Sequence, residues 1–148
     1  MKVLKILLTL VSLTAVAAIP TQAANRVLFI SAPPEVAPGD TVSVSIIAST
    51  DTDDGEEIGF LHAEYSIDAG KTWLPIVYAQ KAGTITEKQF VFVAVTNGVR
   101  TLIRARAAFR GGKAGDVDRL GNAIDWNGSW ENWRAPCAKF AIIYVKDR

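Results

Sequence analysis

Residues 41–47 read Thr-Val-Ser-Val-Ser-Ile-Ile, with polar and apolar side chains alternating at a period of two. Successive side chains of an extended strand point to opposite faces, so this run presents one wet face and one dry face. A helix would scatter the same apolar residues around its circumference. Residues 99–107 (VRTLIRARA) repeat the pattern: Leu102, Arg104 and Arg106 share one parity, Ile103 and Ala105 the other. Residues 27–31, 60–67, 72–79, 89–95 and 139–145 are further β-prone runs. Between them lie turn formers, among them Pro38-Gly39-Asp40, Asp68-Ala69-Gly70 and Asn97-Gly98, while Pro33-Pro34 stops the first run. No amphipathic helix, internal repeat or low-complexity tract interrupts them. About seven short strands at turn-punctuated intervals predict an all-β chain, an immunoglobulin-like antiparallel β-sandwich. Residues 111–136, rich in Gly, Asp and Asn, read as one long loop.

The first residues have a different texture. Lys2 and Lys5 form a basic start, residues 6–18 are uncharged and mostly apolar, and small residues surround Thr21-Gln22-Ala23. This is the layout of a secretory signal peptide over residues 1–23, cleaved after Ala23 or Ala24. The apolar run is short for a membrane span and no basic stop-transfer segment follows, so stable membrane insertion after cleavage is not expected. The expected mature domain, residues 24–148, is exported to the periplasm or beyond the cell and is long enough for one packed core without disulfides. Losing Lys2 and Lys5 takes the formal charge from +1 to about −1. That balance argues against nucleic acid or an anionic membrane as partner, since both demand a basic patch. Cys137 is the single cysteine, and a small buried apolar side chain is its default reading.

Residues 66–73, Ser-Ile-Asp-Ala-Gly-Lys-Thr-Trp, form the most patterned stretch. Gly70 admits a positive φ, Asp68 accepts hydrogen bonds from turn amides, and Trp73 is expected to fill the core at the start of the next strand. The stretch resembles the Asp-box, Ser-x-Asp-x-Gly-x-Thr-Trp, at every defined position. In families carrying it the box is a hairpin element away from catalytic residues. The progression from Tyr65 to Trp73, through Ile103-Arg104-Ala105-Arg106-Ala107, to Trp126-Asn127-Gly128 with Asn132 before residues 140–145 is similar to immunoglobulin-like E-set domains. Among these is the dimerisation domain of sulfite-oxidase-type molybdenum enzymes. The likeness spans roughly the C-terminal two-thirds of the mature chain. It implies a fold and not catalysis, because the chain has no room for a molybdopterin-binding domain and Cys137 lies outside the context of a metal ligand.

Three of the four tryptophans, Trp126, Trp130 and Trp133, crowd into WNGSWENW. One reading is a sugar-stacking platform with Asn127, Glu131 and Asn132 as polar partners. The other is that they plug one end of the sandwich or anchor an interface, where tryptophan is favoured. Asn127-Gly128-Ser129 also matches a glycosylation sequon. Asp51, Asp53, Asp54, Glu56 and Glu57 surround Gly55. A solvated acidic turn is the default there, and a Ca²⁺ site built from Asp51, Asp53, Asp54 and Glu56 is the alternative. Asp116 and Asp118 make a second, weaker candidate. His62, the only histidine, has no neighbour that would complete a triad or a zinc site. No nucleophile elbow or phosphate-cradling loop occurs, so the sequence points away from an enzyme and calls for no other cofactor. Two functions follow as expectations: a non-catalytic module for protein–protein contact or self-association, or a carbohydrate-binding module using the tryptophan loop.

Overall fold

The computed structural model describes residues 25–51, 54–95, 98–112 and 115–147; the expected signal peptide, Asp53 and Asn97 lie outside them. The strands are β1 (Val27–Ser31), β2 (Glu35–Val36), β3 (Thr41–Ser49), β4 (Glu57–Ser66), β5 (Leu74–Gln80), β6 (Ile85–Val93), β7 (Arg100–Arg110) and β8 (Ala138–Val145). They form a three-stranded sheet, β1-β3-β6, and a five-stranded sheet, β2-β8-β7-β4-β5. Every pairing is antiparallel except β2 with β8. The chain is the β-sandwich its alternation predicts. It changes sheet at every step except β4 to β5 and β7 to β8, in the manner of immunoglobulin-like sandwiches.

The strand beyond the expected set is β2. Pro33 and Pro34 have no backbone N–H, so β1 cannot continue along β3. The chain steps across to the other sheet, where the carbonyls of Pro34 and Val36 accept from the amides of Tyr144 and Lys146. β6 starts at Ile85, four residues before its strongly β-prone part, because Glu87 and Lys88 lie on an exposed edge where hydrophobicity is not required. Residues 111–136 are less loop-like than their composition implies: they hold a π-helical turn at Trp126–Trp130 and bridges from Val117 to Phe109 and Ala123.

The alternation of β3 is realised in space. Val42, Val44, Ile46 and Ala48 are buried against Leu61 and Ala63 of β4, Ile103, Ala105, Ala107 and Phe109 of β7, and Ile143 and Val145 of β8. Burying a side chain of the size of Ile46 or Ile103 contributes about 1.5–3 kcal/mol. Tyr65, Phe90 and Phe92 extend this core as a ring cluster, with Tyr65 4.5 Å from Phe90.

A bulge between Ile58 and Phe60 inserts Gly59 into β4 and shifts its phase, so that Ile58 and Leu61 both face inward. A side chain at Gly59 would overlap the backbone nitrogen of Gly112 and lie 2.7 Å from Oδ2 of Asp116. Glycine is therefore required by close approach of another backbone. Gly59→Ala is expected to lower the free energy of unfolding by about 2 kcal/mol, read from the urea midpoint at unchanged slope.

Candidate functional site on the outer face of the five-stranded sheet

β7 is buried over Thr101, Ile103 and residues 105–109, on both faces towards its C-terminal end. The outward face is covered by residues returning towards β8. Asp125 starts this roof: its carboxylate accepts from the amide of Gly128 at 2.9 Å, and its carbonyl from Trp130 at 3.0 Å. The π-helical turn follows. Beneath it Ile124, Trp130 and Cys137 pack on Ala108 and Phe60 as a second, small core. Cys137 is buried there, and burial pushes its thiol pKa up.

Antiparallel register sets the polar side chains beside this core. His62 of β4 lies opposite Arg106 of β7 and Tyr78 of β5, and Glu64 lies opposite Arg104. The two guanidiniums interleave with three indoles. Arg104 lies 3.9 Å from the ring of Trp73 and 4.1 Å from that of Trp133; Arg106 lies 4.2 Å from Trp133 and 4.6 Å from Trp130. The result is a ladder, Trp73–Arg104–Trp133–Arg106–Trp130. Each rung contributes from about 0.5 to about 2 kcal/mol depending on desolvation. Trp133 holds its ring there with a backbone φ of 52°, a left-handed conformation that costs a bulky residue about 1–2 kcal/mol.

Hydrogen bonds orient the ladder. Arg104 donates to Oε2 of Glu64 from Nε at 2.9 Å and Nη2 at 2.6 Å. Arg106 donates to the carbonyl of Trp130 at 2.6 Å and lies 3.9 Å from a carboxylate oxygen of Glu131. Its Nη2 and Nε meet Nδ1 of His62 at 2.9 and 3.2 Å. A guanidinium has donors only, so Nδ1 accepts and the ring proton sits on Nε2, 3.2 Å from Oε1 of Glu64. His62 is neutral in this arrangement. Burial first, then the charge of Arg106, hold its pKa below the ordinary histidine value, while Glu64 opposes them. Burial also lowers the pKa of Arg106.

Trp73 does not fill the core between the sheets. It precedes β5 by one residue and lies on Arg104 at the outer face, because the turn ends before the strand's alternation begins. Trp130 is 6% exposed and Trp126 37%. Trp126 meets Trp130 at 5.1 Å and Phe60 at 5.5 Å, both edge-on. The three loop tryptophans therefore share no open plane. Asn127, Glu131 and Asn132 lie exposed along the roof, where Asn132 donates to the carbonyl of Gly128 at 2.9 Å. Arg104, Arg106, His62 and Glu64 were not singled out as site residues from the sequence. The available signal was two arginines of equal parity on one strand, which need acids or rings on the same face.

The patterned turn lies at one end of this face. The carboxylate of Asp68 accepts from Thr72 Oγ1 at 2.6 Å, Thr72 N at 2.9 Å and Ser66 Oγ at 2.7 Å. Gly70 has φ 89° and its amide donates to Ser66 Oγ at 2.8 Å. These bonds, that from the Thr72 hydroxyl foremost, hold the Asp68 carboxyl at a pKa of about 2.

Glu56 and Asp54 of the acidic loop are engaged by cations of the chain itself. Glu56 is buried and takes Nε and Nη2 of Arg26 at 2.7 and 2.8 Å and Thr50 Oγ1 at 2.7 Å. Asp54 lies 3.2 Å from Arg110, and Asp51 accepts from the amide of Asn25 at 2.6 Å. Asp118 accepts from the amides of Leu120 and Asn122, and Asp116 from those of Gly111 and Gly112. Among the described residues no group of three or more His, Cys, Asp or Glu side chains converges to hold a metal ion. A shallow groove of about 360 Å³, lined by Ala69, Gly98, Val99, Arg100 and Leu102, runs beside the turn.

Two measurements check this geometry. Because the folded pKa of His62 is depressed, the unfolded chain binds the extra proton first as pH falls. Stability is fully present above about 6.5 and declines below it until the folded pKa is passed. His62→Gln is expected to flatten that part of a plot of Tm against pH. In the turn, NMR titration of the Asp68 carboxyl carbon is expected to give a midpoint near 2, and Thr72→Val to move it upward.

No family model matches the chain, and no curated protein matches it. Among solved structures it is similar to Spo0M, a sporulation control protein from Bacillus subtilis, at a TM-score of 0.39 and 11% identity. The match covers 86% of this chain and 51% of that protein, so the chain spans about half of Spo0M's length.

Proposed function

We propose that the protein is an exported, non-catalytic immunoglobulin-like module of the E-set kind, with an Asp-box hairpin, that works by protein–protein contact in the periplasm or at the cell surface. The likeness to the dimerisation domain of sulfite-oxidase-type enzymes belongs to this reading. Its main support is an apolar row on the outer face of β8: Phe140 is 59% exposed, Ile142 43% and Tyr144 40%. Contiguous exposed apolar side chains on a soluble domain mark contact surfaces. Aromatic residues beside arginine, as Tyr144 is beside Arg100 at 5.7 Å, are favoured in the centres of such surfaces. The Trp–Arg ladder flanks the row as a rigid platform. Its groups are turned towards one another: both ring nitrogens of His62 have partners, and Cys137 is buried. Neither is presented to a substrate, which favours a non-catalytic role. Nucleic acid and anionic membrane are not partners on this reading.

Carbohydrate binding is the weaker reading, because Trp133 lies against two guanidiniums and Trp130 is buried, leaving Trp126 as the open indole. Chemical crosslinking in an envelope fraction, with wild-type and Phe140→Glu baits compared, tests the contact reading. A crosslinked protein band lost with the variant is expected. Tryptophan fluorescence titrated with a glycan panel is expected to stay unchanged; a saturable shift that disappears in Trp126→Ala would replace this reading with the carbohydrate one.

A further inference from the structure

β8 has an open edge whose geometry is complementary to itself. The amide of Ala107 donates to the carbonyl of Cys137, so odd-numbered residues of β8 direct their backbone groups to β7. Even-numbered residues direct theirs away. At one end of the edge the amide of Tyr144 is taken by Pro34 and β2 lies alongside; at the other, the amide of Ala138 is taken by Arg134. Between them Phe140 and Ile142 aim their N–H and C=O groups outward, and among the described residues no strand pairs with them there.

We propose that two copies of the chain pair β8 with β8, antiparallel about a two-fold axis at Ala141, joining their five-stranded sheets into one. This rests on the protein-contact reading and names the partner as a second copy. Three observations favour it. Placing Phe140 of each copy opposite Ile142 of the other lets each pair exchange two backbone hydrogen bonds and sets a ring against a β-branched side chain on the exposed face. Ala141 then faces its own copy in the non-hydrogen-bonded position, where Cα atoms approach to about 4.5 Å. Finally, the bonded residues Phe140 and Ile142 lie between the two places where the edge is already occupied, so pairing ends before Ala138 would meet Tyr144.

Lys139 is the residue that opposes edge pairing in general. In this register it lies opposite Ile143, and the two lysines are offset by four residues along the strand, about 14 Å. That exceeds the screening length at physiological salt, about 8 Å. Two other edges of the sandwich are less suited: β5 carries Pro75, and the middle of β6 carries Glu87 and Lys88.

Sedimentation of the full chain, expressed with its own N-terminus, tests the pairing. The average mass is expected to rise towards two chains between micromolar and millimolar concentration. Ile142→Pro removes an outward donor together with the Ile142 side chain, and Phe140→Glu removes an exposed ring; each is expected to abolish the rise while the urea midpoint stays near that of the wild type. Mild oxidation is expected to link Ala141→Cys into a disulfide dimer and to leave Lys88→Cys, on β6, unlinked. A single-chain mass at every concentration overturns the proposal. So does a dimer that survives in both Phe140→Glu and Ile142→Pro and does not crosslink through Ala141→Cys. If the mass stays that of one chain while the wild-type bait retains an envelope protein that Phe140→Glu loses, self-pairing fails and the contact reading stands.

Discussion

The outer face of the larger sheet depends on how the Arg106 guanidinium is accommodated out of water. Taking a cation from water is costly unless hydrogen bonds and charge compensate it. Here the compensation comes from a backbone carbonyl, an imidazole nitrogen and two indole faces, with Glu131 at a longer distance. Each contact restricts something else. The bond to Trp130 ties the π-helical turn to the sheet, the bond to His62 selects one ring tautomer, and the stacking on Trp133 locates the end of the roof.

The local charge balance explains why the histidine is neutral. Arg104 and Arg106 lie on the same face as His62, and Glu64 bonds to both Arg104 and the histidine. A third positive charge would gain little from a carboxylate already shared. It would also remove the only acceptor that His62 offers to Arg106. The left-handed backbone of Trp133 fits the same balance, since its strain is offset by two guanidinium contacts. A roof held this way borders the apolar row on β8, which is turned to solvent.

The sandwich was legible because its signal is local. The alternation in β3 and the shared parity of Leu102, Arg104 and Arg106 in β7 each specify a face without knowledge of the rest of the chain. β2 was not legible, since a two-residue strand exists only because Pro33 and Pro34 force a change of sheet. Trp73 was misassigned to the core for a related reason: hydrophobicity says that an indole is covered, not what covers it. The partner of Glu56 was hidden for the same reason. Carboxylates close in sequence suggest a cation, and for Glu56 that cation is Arg26, thirty residues away.

The sequence alone determined that the chain is a two-faced β-structure, which residues turn it, and which side chains of β3 and β7 share a face. These follow from a backbone with a period of two and from the conformational limits of proline and glycine. Only the tertiary structure decided which surface the tryptophans cover, which arginine lies beneath them, and which strand edge stays open. Those depend on strand register and on where the long return from β7 to β8 lands. The contacts that set them join residues such as Trp73, Arg104 and Trp133, too far apart in the chain for local periodicity to relate them.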